Sequence, residues 1–448
     1  MKYGLKTNKK TVLLNQKGIT LPLVAILMFV LLGIVALTID LAHLYVVRNE
    51  LQNAADAGAL AGARFLYNND GSAVNPGANQ IAYDAARDNR ALAETGWIAV
   101  DVNWSDGQNS GANVDVQRGH WSFTTHTFTA NDSLFPVDLD RTTEELDGDL
   151  NFINAVRVVA RRQATPAASF FARIFGYDDF ELYTDAVAYI GFAGSLRPED
   201  VDQPIAICRQ SIVDPETGAY SCATGRMIDS GGGSTHNTAA WTNFSQEPCQ
   251  TTSVPTVRPL ICADGNPESL IFGADMGTVG GMQNNVYDQM RDCWMDPATG
   301  LATDDRGYPI EPWTITLPVI DCPGNNPGPC SELVGVVTLD VLWIKQSSTD
   351  PHWQDIPLEM ENWTYSGLSD NPDLTIDDMT DAQRQEAWQE FTDAFQLHTA
   401  DDTSVGDLTA SDIQKTMFFR PDCSYHEPRG GTGGYNFGVL ARIPVLVE

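Results

Sequence analysis

The feature of this chain that most limits its fold is a run of uncharged residues at positions 19–39. As an α-helix rising about 1.5 Å per residue, the run covers about 31 Å, close to the hydrocarbon thickness of a bilayer. It is longer than the apolar stretch of a cleaved signal peptide, and VALTID near its end lacks a small-residue cleavage site. Residues 19–39 are therefore predicted to form an uncleaved transmembrane anchor surrounded by membrane lipid.

Charge is distributed unevenly on the two sides of this anchor. Five of the seven lysines lie within residues 1–18, and the first acidic residue is Asp40. The positive-inside rule predicts that residues 1–18 are a cytoplasmic basic tail and that the remainder is exported. Residues 40–448 contain all 59 acidic residues but only 22 of the 27 basic ones. This balance repels a phosphate backbone and argues against a nucleic-acid partner.

Residues 40–66 continue the apolar run and are predicted to form an amphipathic helix rich in small residues. At 100° per residue, one stripe contains Leu44, Val47, Leu51, Ala55, Gly58, Gly62 and Phe65. The opposite side contains Asn49, Gln52, Asn53, Asp56 and Arg64. Glycine and alanine flatten the stripe, so that another backbone can come close. That backbone belongs either to the protein's own globular domain or to another subunit, and both alternatives stay open.

If the stripe packs on another subunit, the predicted helix-packing interface consists of Leu51, Ala55, Gly58, Ala59 and Gly62. Replacing Gly58 and Gly62 by leucine is then expected to leave the exported domains folded and to abolish crosslinking to that subunit. Asp40 lies near the same stripe at the membrane exit, where it is interpreted as a solvated boundary residue or as a partner for another subunit's cation.

Residues 67–195 are predicted to form an α+β exported domain. The β-branched and aromatic stretches that predict strands are 97–104, 114–118, 121–128, NFINAVRVVARRQ and FELYTDAVAYIGF. TPAASFFARIFG predicts a short helix with Thr165 as its cap and Pro166 at its first position. The aromatic and aliphatic residues expected to supply core from that helix are Phe170, Phe171, Ile174 and Phe175. SLRPEDVDQP then marks a polar link and a domain boundary near residue 196.

Residues 196–448 are predicted to be a strand-rich, disulfide-containing exported domain. All the cysteines lie in it: Cys208, Cys222, Cys249, Cys262, Cys293, Cys322, Cys330 and Cys423. Their even number predicts disulfides formed in an oxidising compartment, and the absence of CxxC pairs argues against zinc. The short loop CPGNNPGPC favours a Cys322–Cys330 bridge, while the remaining pairings stay open. Strands are predicted at WTITLPVI, LVGVVTLDVLWI and the chain end, and a helix capped by Thr380 at 380–398.

The sequence contains little that predicts catalysis or a cofactor. Neither G-x-S-x-G nor H-E-x-x-H occurs. Ser230 or Ser234 with His236 is the best candidate for an anchored hydrolase, although such a glycine-rich stretch is typical of a loop. DDTSVGDLTASD resembles a distorted calcium loop, whose candidate positions are Asp401, Gly406, Leu408 and Asp412. We expect no enzyme activity, no cofactor and no metal.

The N-terminal fifty residues resemble those of Tad/Flp pilus-assembly membrane proteins of the TadG type. The resemblance is carried by Gln16-Lys17-Gly18, the apolar run, Asp40, Arg48, Leu51-Gln52, Ala54-Ala55-Asp56 and Ala59-Leu60-Ala61. It implies a protein of the bacterial inner membrane whose partners are other pilus-assembly membrane proteins or pilin-like subunits. Leu23 stands where a processed prepilin carries glutamate, which argues against cleavage after Gly18. The alternative function is a surface-anchored adhesive or ligand-binding protein whose acidic face binds cations or a basic target.

Overall fold

The structure is a computed structural model of the chain. It describes residues 20–68, 73–93, 96–111, 113–135, 141–212, 222–223, 225–228, 239–323, 327–346, 355–371, 374–397, 415–431 and 442–447. Within these ranges the α-helices are α1 (Thr20–Arg64), α2 (Ala78–Asp88), α3 (Thr143–Asp147), α4 (Arg209–Ile212), α5 (Val254–Val257), α6 (Asn284–Trp294), α7 (Gly367–Asp370) and α8 (Asp381–Ala394).

The strands fall into two groups, before and after residue 195. Those of the first group are β1 (Arg90–Ala93), β2 (Gly96–Ala99), β3 (Val116–Ser122), β4 (Thr127–Ala130), β5 (Ala155–Ala168) and β6 (Asp179–Phe192). Those of the second group are β7 (Ser195–Leu196), β8 (Ile205–Cys208), β9 (Arg226–Met227), β10 (Ala239–Thr242), β11 (Leu270–Ile271), β12 (Asp275–Gly280), β13 (Trp313–Ile320), β14 (Cys330–Lys345), β15 (Glu359–Met360), β16 (Trp363–Thr364), β17 (Thr416–Tyr425) and β18 (Arg442–Leu446). The predicted α+β class, with a long apolar helix before strand-rich regions, is confirmed.

Helix α1 is one unbroken helix of 45 residues, about 68 Å long. Among the residues described, it is the one helix long and apolar enough to cross a membrane. Side chains from Leu21 to Val35 are exposed, whereas Val47 and Leu51 are completely buried. The helix therefore has two halves with different surroundings, as the change from uncharged to amphipathic sequence predicts.

The first sheet is antiparallel, with strand order β18-β6-β5-β3-β4. Val156, Val158 and Ala160 of β5 alternate along the strand and share one core with the second half of α1 and with α2. Ala155 of β5 belongs instead to a separate small cluster with Trp121. Because side chains alternate in a strand, the sheet covers α1 with one face and a smaller core with the other.

The second sheet has strand order β12-β10-β8-β13-β14-β17-β9. Strands β13 and β8 pair in parallel, and the other pairs are antiparallel. Because β12 also pairs with β14, the five strands β12, β10, β8, β13 and β14 close into a ring. Its main core combines aliphatic residues with tryptophans, and the rings of Trp294 and Trp343 meet edge to face there at 5.2 Å.

All eight cysteines form disulfides, as predicted. The bonds are Cys208–Cys322, Cys222–Cys423, Cys249–Cys330 and Cys262–Cys293. The predicted Cys322–Cys330 bridge is therefore wrong. Cys208 of β8 lies opposite Ile320 of the parallel strand β13, and Ile320 is two residues before Cys322. Cys330 of β14 lies opposite Gly277 of β12. Strand pairing, which a short loop sequence does not reveal, decides the partners.

Two other local predictions are also corrected. TPAASFFARIFG does not form a helix capped by Thr165: β5 continues to Ala168, and only Ala172–Phe175 makes a 3₁₀ turn. SLRPEDVDQP, predicted as a polar link, is packed into the protein, because Leu196 and Val201 are completely buried and Asp200 is nearly so. The chain also returns to the first sheet at its end, where β18 pairs with β6 as a half-buried strand.

Helix α8 follows its sequence pattern closely. Thr380 and Gln383 form the predicted capping box, in which the backbone N–H of Gln383 donates to the Thr380 hydroxyl at 3.3 Å. Ala387, Trp388 and Phe391 are buried on one face of the helix. The aromatic stripe is therefore core.

Candidate functional site at the junction of helix and sheet

The small-residue stripe of α1 packs against the protein's own domain. Leu51, Ala55 and Ala59 are completely buried, and Gly58 and Gly62 are buried beside them. The covering elements are α2 and β5, which present alanine and valine side chains from the same core. Of the two alternatives that the sequence leaves open, the structure places these five residues in an intramolecular interface.

The two glycines lie where the elements approach most closely. A Cβ atom added to Gly58 would lie 2.8 Å from the carbonyl oxygen of Ala82 and 2.9 Å from the Cβ of Ala86. One added to Gly62 would lie 2.8 Å from Ala82 Cβ and from Val156 Cγ1. Since real Cβ atoms essentially never approach within 3.0 Å, even alanine would force backbone movement here. The close approach explains glycines whose helix propensity costs about 1 kcal/mol each.

The interpretation of Asp40 as a solvated boundary residue is wrong. Its side chain is only 4% exposed and accepts hydrogen bonds from three consecutive backbone N–H groups. The donors are Phe170 at 2.8 Å, Phe171 at 3.0 Å and Ala172 at 2.6 Å. These residues belong to the loop of the β5–β6 hairpin, so the first charged residue after the apolar run fixes α1 to the near end of the sheet.

The other end of the junction is held by the C-terminal part of the chain. The Arg64 guanidinium, at the last residue of α1, forms an ion pair with Glu427 at 2.7 Å. Strand β18 then covers the edge of β6. Helix α1 is therefore attached at the level of residue 40, along its small-residue stripe and again at its end.

Within the described ranges, no group of three or more histidine, cysteine or acidic side chains is placed to hold a metal ion. The hydrolase candidates Ser230, Ser234 and His236 lie outside the described residues, as does the calcium-like segment 401–412. The buried carboxylate of Asp40 is saturated by backbone donors, which is typical of a structural role.

The buried role of Asp40 could have been found in the sequence, but its partners could not. Asp40, Leu44, Val47 and Leu51 follow the i, i+4, i+7, i+11 spacing of one helix face. That spacing places the carboxylate on the buried side. The backbone donors are 130 or more residues away in the chain, and only the packing of the hairpin on α1 brings them to it.

Together these features define a class of protein with a single long N-terminal helix. The first part of the helix is apolar and exposed, and the second part is built into the core of an α+β body whose far region carries four disulfides.

Two family models match the N-terminal part of the chain. Residues 18–64 match the family model described as putative Flp pilus-assembly TadE/G-like, and residues 61–188 match the one described as putative Tad-like Flp pilus-assembly. Together the two matches cover residues 18–188 and support a Tad/Flp pilus-assembly protein of the TadG-like type, the family that the N-terminal sequence resembles. Residues 189–448 lie outside both matches. No curated protein and no solved structure matches the chain.

Proposed function

We propose that this protein is a single-pass membrane component of a Tad-type pilus-assembly apparatus that acts through protein–protein contacts rather than catalysis. Residues 1–18 lie in the cytoplasm of the bacterial cell, residues 19–39 cross the inner membrane, and the body is exported. Five lysines before the apolar run and disulfides after it support this direction.

The observation that carries the proposal is the continuity of α1. The helix runs from Thr20 to Arg64 without a break, and its second half is buried in the body. A flexible tether would let the body rotate freely above the membrane. A continuous helix instead fixes the body's orientation to the anchor, which suits a component that must present a defined surface to neighbouring subunits.

Because the small-residue stripe is occupied by the body, partner contacts fall on surfaces that remain exposed. The apolar part of α1 is one of them: Phe29 is 77% exposed. The exported sheet provides another, at Tyr183 on β6, which is 67% exposed. Pilus-assembly membrane proteins or pilin-like subunits are the partners proposed for these surfaces.

Site-specific photo-crosslinking tests the proposal. A benzophenone amino acid replaces Phe29 in one variant and Tyr183 in another, so that an aromatic ring replaces an aromatic ring. In cells that express the Tad apparatus, we expect at least one variant to crosslink to another Tad component or a pilin. The matched control is the same variant in cells without the other Tad proteins, where that product should disappear. Loss of crosslinks at both positions would contradict the proposal.

Direction is tested separately by protease protection. In spheroplasts, protease added together with dithiothreitol should digest the exported region after residue 196, whose disulfides are then reduced, and leave an N-terminal fragment with the basic tail. A protected body, or a mature chain that begins after residue 40, would refute the membrane topology.

A further inference from the structure

The loop of the β5–β6 hairpin exposes an unusual amount of apolar surface. In this hairpin loop, residues 169–178, the side chains of Ile174, Phe175 and Tyr177 are 76%, 79% and 61% exposed. Phe170 and Phe171 are also exposed, so the prediction that the loop's aromatic residues supply core is wrong. Contiguous exposed apolar surface marks an interaction site rather than a normal solvated turn.

The position of the hairpin loop identifies what it faces. Asp40 binds the backbone N–H groups of Phe170, Phe171 and Ala172, and the ring of His43 meets that of Phe170 at 5.2 Å. Asp40 is the residue immediately after the uncharged run 19–39. The loop is therefore held beside α1 at the level where the helix would leave the hydrocarbon.

The composition of the loop fits the boundary between lipid headgroups and acyl chains. Tyrosine and other amphipathic aromatic side chains concentrate at that level, and arginine extends its charge toward phosphate while its stem contacts apolar groups. Arg173 is exposed among these aromatic residues. Tyr45 of α1, two residues after His43, is also 67% exposed. Asp178 and Asp179 follow directly, so the apolar surface ends where the strand begins.

We propose that the hairpin loop inserts into the outer headgroup region of the same membrane that α1 crosses, as a second, monotopic contact. The proposal rests on the membrane anchoring proposed above. The loop contacts α1 at Asp40 and His43, directly after the exposed apolar run of the helix, which favours lipid over a separate protein as the occupant. With Asp40 between the two contacts, the sheet gains a fixed tilt relative to the bilayer.

Spin-label depth measurement on the full chain in phospholipid vesicles tests this insertion. Because all eight cysteines form disulfides, one added cysteine gives one labelling site. The test variant is Ile174→Cys, and Leu32→Cys reports on the anchor. The matched control, Phe123→Cys, is an exposed aromatic site in the same domain. In the native protein, the Phe123 ring contacts Tyr189 of β6. Tyr189 is ten residues, or about 33 Å, along β6 from Asp179, where the strand begins next to the loop.

The ratio of oxygen to nickel-chelate accessibility reports depth in the bilayer. We expect the highest ratio at Leu32→Cys, a severalfold higher ratio at Ile174→Cys than at Phe123→Cys, and an aqueous value at Phe123→Cys. A high ratio at Leu32→Cys together with an aqueous ratio at Ile174→Cys would overturn the loop insertion but leave the anchoring standing. An aqueous Leu32→Cys would overturn the anchoring as well. Protection of Ile174→Cys from both reagents would overturn lipid insertion in favour of a protein contact.

Discussion

The two sheets of this protein are stabilised in different ways. The first sheet contains no cysteine and buries the stripe of α1 through closely packed alanine, glycine and valine residues. The region of the second sheet carries four disulfides and a core that includes the buried Trp241, Trp294, Trp343 and Trp388. Packing against a continuous helix therefore replaces covalent crosslinks near the membrane, while crosslinks secure the region farther along the chain.

The lengths of the crosslinked segments explain why the second sheet uses disulfides. Cys222 and Cys423 are 201 residues apart, and Cys208 and Cys322 are 114 apart. A disulfide that closes a long segment removes much conformational entropy from the unfolded chain. In the first sheet, the long β5–β6 hairpin is local in sequence and needs no such restraint.

The largest expected effect is selective loss of the second sheet on reduction. Each disulfide is worth about 2–5 kcal/mol, so removing four costs about 8–20 kcal/mol, as much as or more than the stability of a typical domain, about 5–15 kcal/mol. We expect dithiothreitol to expose residues after 196 to protease while residues 40–190 stay resistant, as read by mass spectrometry of the fragments. Simultaneous digestion of both sheets at the same reductant concentration would show that they unfold as one unit.

The opposite outcome, unfolding of the first sheet while the second stays folded, is expected from Gly58→Leu together with Gly62→Leu. Both side chains would collide with α2 and β5, so the geometry contradicts the sequence-based expectation that the exported body stays folded. Overpacking costs about 1–3 kcal/mol per site, and more where backbone must move. We expect protease sensitivity in residues 40–190 with the disulfide region still resistant.

The matched control for this pair lies on the same helix. Gly33→Leu introduces the same side chain where nothing lies within 4 Å. It should leave the protease pattern of the body unchanged. Equal sensitivity of the Gly33→Leu variant would mean that helix insertion into the membrane, rather than packing, limits folding.

Local sequence pattern predicts elements well where contacts are local. The long apolar helix, its small-residue continuation and the capping box at Thr380 are all found because helix periodicity and caps depend on residues three or four positions apart. The strand patterns at β5, β6, β13 and β14 are found for the same reason, since alternation is local.

Contacts between distant segments are what local pattern misses. TPAASFFARIFG predicts a short helix capped by Thr165, but strand pairing extends β5 to Ala168 and leaves the aromatic residues of the loop exposed. The disulfide partner of Cys322 is chosen by the neighbouring strand β8, 114 residues earlier. The sequence leaves open whether the protein's own domain or another subunit covers the small-residue stripe. The position of α2 against Gly58 and Gly62 shows that the protein's own domain covers it.

A smaller effect is expected from Asp40→Ala. Three backbone N–H groups would lose their acceptor, at about 1–3 kcal/mol for each group left buried and unpaired. Partial solvation limits the loss to about 3 kcal/mol. Hydrogen exchange should accelerate at Phe170, Phe171 and Ala172 without opening the rest of the sheet. Asp40→Asn keeps one acceptor oxygen and should show an intermediate rate, whereas unchanged exchange in both variants would show that the carboxylate does not hold the loop.

The smallest effect concerns a buried lysine in the second sheet and is seen only as a pH dependence. Lys345, at the end of β14, is completely buried; its Nζ atom donates to the main-chain oxygen of Asp355 and lies 5.7 Å from the Trp388 ring. Burial, the main cause, lowers the pKa of Lys345 from 10.5 to about 8. The nearby Asp355 carboxylate raises this pKa, and the Arg291 charge lowers it further. The folded state therefore releases this proton at a lower pH than the unfolded state.

Because the unfolded chain binds more protons between about pH 8 and 10.5, this lysine makes stability rise with pH across that window. Between pH 7.5 and 9.5 the gain is about 2 kcal/mol. Lys345→Met keeps most of the volume and removes the titration, so its unfolding free energy should rise by about 2 kcal/mol less over the same interval. Urea unfolding followed by tryptophan fluorescence measures the difference. Parallel pH profiles of the two proteins would mean that Lys345 titrates alike in both states, and that the second sheet admits water where its aromatic core is expected to be dry.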